Sequence, residues 1–227
     1  MIGAVNERSA RRAAELFGVI SPKVTFLKPV EAELGKLFCN AYRYINFAIA
    51  NQFYAIAEKH GADFHRIREA VREDYPRMAS FARAGYTARP CLLKDTMQLR
   101  AFDHNSFVMG ESARMINEGF PATIVQQLKR AYPLREMTVG ILGMAFKPES
   151  DDSRDSLSYK IRKILTVECQ RVLCSDPYVS DENLITEEEV VEQADLIIIG
   201  TPHDAYRELE FRQPVIDVTG EIGRTQQ

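Results

Sequence analysis

The apolar positions of the chain change period twice. From Pro29 onward Leu34, Leu37, Phe38, Ala41, Ile45, Ala48, Ile49, Phe53 and Ile56 recur at three- and four-residue steps, the period of a helix face. The spacing predicts a helix over 30–59, about 45 Å long, ended by Gly61. Tyr42, Tyr44 and Phe47 put apolar bulk on its other faces. More than one neighbour is therefore expected to bury it, either as a central core helix or at an interface between two copies. Asp63 is a natural cap for a second helix, "FHRIREAVRED", and more helices are expected near 91–104, 106–118 and 121–132. This block reads as all-helical.

Beyond Pro133 to Glu136 the pattern becomes short apolar runs separated by amphipathic ones. "MTVGILG", "QRVLCSDP", "ADLIIIGTP" and "PVIDVTG" read as strands, with "SLSYKIRKIL" and "TEEEVVEQ" as helices between them. Strands alternating with helices predict a parallel sheet of the doubly wound type. Residues 1–29 read strand, helix, strand ("MIGAV", "SARRAAELF", "KVTFL"), with Ser9 as the expected N-cap. The expected fold class is α/β: an all-helical central domain over 30–133, then a doubly wound parallel-sheet, Rossmann-like domain over 134–227.

Composition narrows the function classes. Hydrophobic residues make up 45% of the 227 positions, enough for a real core. A net charge of −3 argues against a nucleic-acid binder. No apolar run approaches the ~20 residues of a membrane span, and "MIGAVNERSARRAAELF" meets charge too early for a signal peptide. Cys39, Cys91, Cys169 and Cys174 have no CxxC spacing and the four histidines are scattered. Reduced thiols of a cytoplasmic protein, without a metal site, are the expectation.

Three stretches carry candidate chemistry. In "TARPCLLKD", Cys91 falls in the first turn of an expected helix, with Lys94 and Asp95 one turn along on the same face. The positive helix end and Lys94 suit a negatively charged sulfur. A cysteine in an apolar stretch is also an ordinary buried residue. Lys36 and Asn40 are four apart on the long helix, placed to enter a cleft together or to form a solvated stripe. The loop "GMAFKPESDDSRDS" follows the first strand of the last domain, where parallel sheets bind ligands. It keeps only the first glycine of a GxGxxG fingerprint, since Ala145 and Pro148 stand at the other two positions. Lys147 and Arg154 suit phosphate oxygens, while Asp151, Asp152 and Asp155 offer both cations local partners.

Taken together, "EAELGKLFCNAYRYINFAIAN", "PCLLKDTMQL" and "GILGMAFKPESDDSRDS" resemble, in order, the central helix, catalytic segment and nucleotide-binding loop of the UDP-glucose/GDP-mannose dehydrogenase family. "SDPYV" and "ADLIIIGTPHDAY" follow at matching places. The resemblance implies a nucleotide-sugar 6-dehydrogenase that oxidises a sugar C6 alcohol to a carboxylate with two NAD⁺, with UDP-glucose as the expected substrate. It implies Cys91 as the nucleophile, Asp95 as the group that orients or deprotonates water, Lys36 as oxyanion stabiliser and Asn40 as a holder of the reacting oxygen. Lys94, Lys147, Arg154, Phe81 and Arg83 become substrate-side candidates, with Arg77 a further one.

Residues 1–29 resemble the end of the family's NAD-binding domain, whose GxGxxG loop has no counterpart here, so the chain alone is expected not to turn over NAD⁺. A homodimer through the helix 30–59 and binding of a UDP-sugar or other nucleotide sugar are the expected partnerships, with no nucleic acid and no membrane. Thr87 to Pro90 stand where the family has glycines, and Val218–Thr219 where it often has an arginine; Arg89 is placed to crowd the pocket or to meet a phosphate. The competing reading is a non-catalytic sugar-nucleotide-binding or dimerisation module.

Overall fold

The computed structural model describes residues 1–21, 23–86 and 90–223. The chain opens with a parallel pair of very short strands, β1 (Ile2–Gly3) and β2 (Phe26–Leu27), joined by α1 (Glu7–Phe17). Asn6 caps α1, not Ser9: its side chain accepts the Ser9 backbone N–H at 2.9 Å. The expected cap lies inside the first turn because asparagine satisfies the third amide from where it stands.

The long helix, α2 (Pro29–Lys59), forms nearly as its periodicity predicts. Pro29 occupies the first turn, where a missing N–H costs nothing, and Glu31 accepts the Lys28 backbone N–H at 2.8 Å. Ala41, Tyr44, Ala48, Asn51 and Tyr54 face inward and are buried, whereas Phe38, Tyr42, Ile49, Phe53 and Ile56 remain exposed. α3 (Phe64–Arg72) is capped by Asp63, which accepts the His65 and Arg66 amides at 2.8 and 3.0 Å, and ends two residues short of the expected stretch. α4 (Pro90–Phe102) packs along α2.

The two helices expected at 106–118 and 121–132 are one, α5 (Val108–Ala131). Pro121 removes an N–H and deprives the carbonyl one turn earlier of its donor. It is nevertheless buried, with Phe120, Ile124 and Val125 beside it, in a helix that packs along α2. That packing outweighs the local cost of the proline.

The C-terminal unit contains β3 (Thr138–Leu142), α6 (Leu157–Glu168), β4 (Arg171–Ser175), α7 (Glu187–Gln193), β5 (Leu196–Ile199) and β6 (Val215–Ile216). Its sheet is all parallel in the order β4-β3-β5-β6. The central strands are covered on both faces, which is why "GIL" and "LIII" read as continuous apolar runs. The chain runs outward in opposite directions from the β3–β5 pair, so the topological switch point lies between their carboxyl ends, where open α/β sheets take ligands. Gly143 makes this junction possible. Its φ is +95°, and a Cβ there would lie 2.2 Å from the Thr201 carbonyl oxygen.

Candidate active site

The antiparallel neighbours α2 and α4 place three side chains together from distant parts of the sequence. Lys36 and Asn40 lie one turn apart on α2, and both donate to the same oxygen, Oδ2 of Asp95 on α4. The Asn40 bond is 2.5 Å; the Lys36 contact is also an ion pair. Asp95 is 1% exposed, whereas the Lys36 side chain is 59% exposed. A largely exposed lysine side chain is thus anchored at its ammonium by a buried carboxylate. Burial pushes the Asp95 carboxyl up, but hydrogen bonds from Lys36 and Asn40, and the charges of Lys36 and Lys94, outweigh burial and hold it below the ordinary carboxylate range. A cavity of about 500 Å³ beside Lys36 is lined by Val30, Leu34, Leu37, Gln98 and Phe102.

One turn before Asp95, Cys91 is exposed in the first turn of α4, directly after Pro90. Lys94 is exposed as well. So the sulfur is not a buried apolar residue; the buried positions of this helix are Leu92, Asp95, Thr96 and Leu99. The Thr96 hydroxyl donates back to the Leu92 carbonyl at 2.7 Å. Arg89 and its neighbours Thr87 and Ala88 lie outside the described residues.

The segment leading towards Cys91 is gripped from several sides. Arg68, buried in α3, donates to the Phe81 carbonyl at 2.8 Å and to the Ala82 carbonyl at 3.0 Å. Arg72 takes the Ala79 carbonyl at 3.1 Å. Asn51 accepts the Gly85 amide at 2.9 Å and donates to Asn117 at 3.0 Å. Phe81 meets Phe53 and Phe64 edge-on at 6.0 and 5.9 Å. That packs Phe81 against the core. Arg83 donates to the Thr219 carbonyl at 3.2 Å and pairs with Glu221, so it fastens this segment to the C-terminal unit. Arg77 is exposed in the short 3₁₀ turn Pro76–Met78.

The loop after β3 reaches the same region from the other unit. Lys147 is exposed, with its ammonium 5.8 Å from the centre of the Phe146 ring. Arg154 forms a two-pronged pair with Asp152, at 2.9 and 2.7 Å, which holds that carboxyl down to about 2. The Arg154 guanidinium lies within electrostatic reach of Cys91. The helical and α/β units meet through Arg83 with Thr219 and Glu221, and through Lys160, which donates to the Glu118 carbonyl at 2.6 Å. Val218, at the expected arginine position, is fully buried, and the Thr219 hydroxyl donates to Asp217 at 2.6 Å.

Comparison with known proteins decides the family. Residues 30–119 match the central domain of the UDP-glucose/GDP-mannose dehydrogenase family, and residues 140–220 match its UDP binding domain. The chain belongs to the UDP-glucose/GDP-mannose dehydrogenase family. It is 30% identical to the UDP-N-acetyl-D-mannosamine dehydrogenase of Pyrococcus horikoshii over 93% of this chain and 51% of that protein. It is 27% identical to UDP-glucose 6-dehydrogenase YwqF of Bacillus subtilis over 88% of this chain and 49% of that one. The structure of a UDP-glucose dehydrogenase from Pyrobaculum islandicum superposes with a TM-score of 0.85 at 28% identity, covering 96% of this chain and 54% of the other. The chain spans about half the length of the relatives it matches.

The loop after β3 of this family member does not offer the leading amides of a dinucleotide-binding turn. The Gly143 Cα faces the Thr201 backbone, and the Met144 and Ala145 amides are already bonded to Asp176 at 2.6 and 2.8 Å. Neither amide is left for a pyrophosphate. Among the described residues no His, Cys, Asp and Glu cluster can hold a metal ion, and no helix is long and apolar enough to cross a membrane.

Sequence reasoning did not single out Asp176, His203, Glu149, Asn51, Asn117 or Arg68. Asp176 and His203 had a legible signal, since "SDP" and "GTPH" each put a polar side chain at the carboxyl end of a strand. Arg68 had none, because a lone arginine on an amphipathic helix reads as solvated.

Proposed function

We propose that this chain forms the sugar-nucleotide side of a nucleotide-sugar 6-dehydrogenase, with Cys91 as its nucleophile. The observation that carries the reading is the Lys36–Asn40–Asp95 trio joined across α2 and α4, one turn along α4 from the exposed Cys91. Residues 1–29 are read as the end of an NAD-binding domain, 30–133 as the helical central domain and 134–227 as the UDP-sugar-binding domain. The exposed stripe Phe38, Tyr42, Ile49 and Ile56 on α2 is read as the seam of a homodimer.

In this reading a sugar C6 alcohol is oxidised twice. The hydride acceptor is a nicotinamide cofactor. Cys91 captures the intermediate aldehyde: sulfur bonds to C6 and the carbonyl oxygen gains a proton, giving a thiohemiacetal. Its oxidation leaves a thioester, from which water displaces the sulfur as carboxylate forms. The Lys36 ammonium offsets negative charge on the C6 oxygen, and Asn40 orients that oxygen. Asp95 is held ionised, buried and doubly bonded, which suits orienting Lys36 more than taking a proton from water. Lys147 and Arg154 meet the diphosphate, and Lys94 supports the same site.

UDP-glucose is the first substrate reading. A UDP-N-acetylhexosamine is the second, favoured by the 30% identity to a UDP-N-acetyl-D-mannosamine dehydrogenase. Mass-spectrometric mapping of iodoacetamide labelling tests the proposal. Either UDP-sugar is expected to slow labelling of Cys91 and leave Cys39 unaffected, and the more protective sugar names the substrate class. Equal Cys91 labelling with and without both sugars sinks the active-site reading and favours a non-catalytic module.

A further inference from the structure

The carboxyl ends of β3, β4 and β5 are laced together by two buried side chains. Asp176, after β4, accepts the Met144 and Ala145 amides and the His203 ring on Oδ2, the last at 3.1 Å, and the Tyr178 and Val179 amides on Oδ1 at 2.9 and 3.0 Å. His203, after β5, is fully buried between the rings of Tyr178 and Tyr206, whose centres lie 5.0 and 5.4 Å away. Its Nδ1 accepts the Glu149 backbone N–H at 3.0 Å, so the ring proton sits on Nε2 and is given to Asp176.

These bonds bracket Phe146, Lys147 and Pro148. Met144 and Ala145 are pinned by Asp176, Glu149 is pinned by His203, and Lys147 lies between them. Glu149 is held at φ +53°, a conformation that a residue with a Cβ avoids unless its surroundings impose it. Its side chain extends the lacing: Oε1 accepts the Asp204 amide at 2.9 Å, and Oε2 accepts the Tyr178 hydroxyl at 2.5 Å. The bracket spans the β3–β5 switch point, where the fold takes its ligand.

We infer that His203 is a positioning residue: by accepting the Glu149 amide it fixes the 144–149 loop so that Lys147 is presented to the diphosphate of the sugar nucleotide. The inference rests on the proposed nucleotide site and goes beyond it, since His203 touches no substrate.

Two half-isosteres separate positioning from plain support. Asparagine places its oxygen near Nδ1 and keeps the acceptor for Glu149; glutamine places its nitrogen near Nε2 and keeps the donor to Asp176. His203→Asn and His203→Gln are expected to lower Tm alike, since each loses one buried bond and part of the ring. Calorimetric titration with UDP should separate them. His203→Gln and Lys147→Ala are each expected to weaken UDP about tenfold, the loss of one hydrogen bond to a charged group. His203→Asn should bind as wild type does.

The double variant Lys147→Ala/His203→Gln should be no weaker than either single one, because both remove the same contact. Glu149 amide exchange should accelerate in His203→Gln alone. Equal weakening by His203→Asn and His203→Gln, or additive losses with Lys147→Ala, would leave His203 a structural residue and overturn the inference. Wild-type chain that does not bind UDP overturns the nucleotide reading and this inference with it. Weakening by Lys147→Ala without weakening by His203→Gln overturns this inference alone.

Discussion

Asp95 receives both of its side-chain bonds on one oxygen, and its partners differ in exposure, which sets what its removal costs. Its folded pKa lies below the unfolded value of about 3.9. The stabilisation from its charge is therefore complete above that value and is lost as pH falls through the folded pKa. Asp95→Asn is expected to lower stability by about 1 kcal/mol at neutral pH, because Lys36 is largely solvated and the pair is screened. In thermal melts between pH 7 and 2, the gap to wild type should close below about pH 4; a constant gap contradicts the assignment. Cysteine accessibility gives a second residue-level check. Cys39 and Cys91 are exposed, whereas Cys174 is buried and its thiol pushed up to about 12 by burial. Iodoacetamide should label the first two in the folded chain and Cys174 only on unfolding. The i, i+4 spacing of Lys36 and Asn40 was legible as a local pattern, but only the resemblance to the family, not spacing, put them in one site with Asp95. The lacing through Asp176 and His203 was not legible, because each bond joins strand ends that only the sheet order brings together.

At the scale of elements, α2 emerges almost residue for residue from its periodicity, whereas α5 does not. Pro121 is a strong local stop signal, and it is overridden because one continuous helix packs along α2. The interface reading of α2 also makes a prediction. Sedimentation should find wild-type dimers, and Ile49→Glu should shift them to monomers, since Ile49 is 41% exposed in the middle of the apolar stripe. A monomeric wild type contradicts the seam. Gly143 tests the other unit. Gly143→Ala needs both a positive φ and space that the Thr201 backbone occupies. A loss of about 4 kcal/mol or more is expected in denaturant unfolding. A near-wild-type midpoint would mean that β3 and β5 do not meet as described.

For the whole molecule, the order β4-β3-β5-β6 matters more than any one contact. It opens the switch point between the loops after β3 and β5, and the first of these carries Lys147 and Arg154. Alternating strands and helices made the parallel sheet legible. Its contact with the helical unit was not, because Arg83 with Thr219 and Glu221 joins segments with no shared local pattern. The central claim is that the two units together make a uridine sugar-nucleotide site. Calorimetric titration of the chain with UDP, UDP-glucose and GDP tests it most directly. Saturable binding of UDP and UDP-glucose, tighter than GDP, is the predicted result; equal affinity for GDP, or no binding of either uridine ligand, would contradict it.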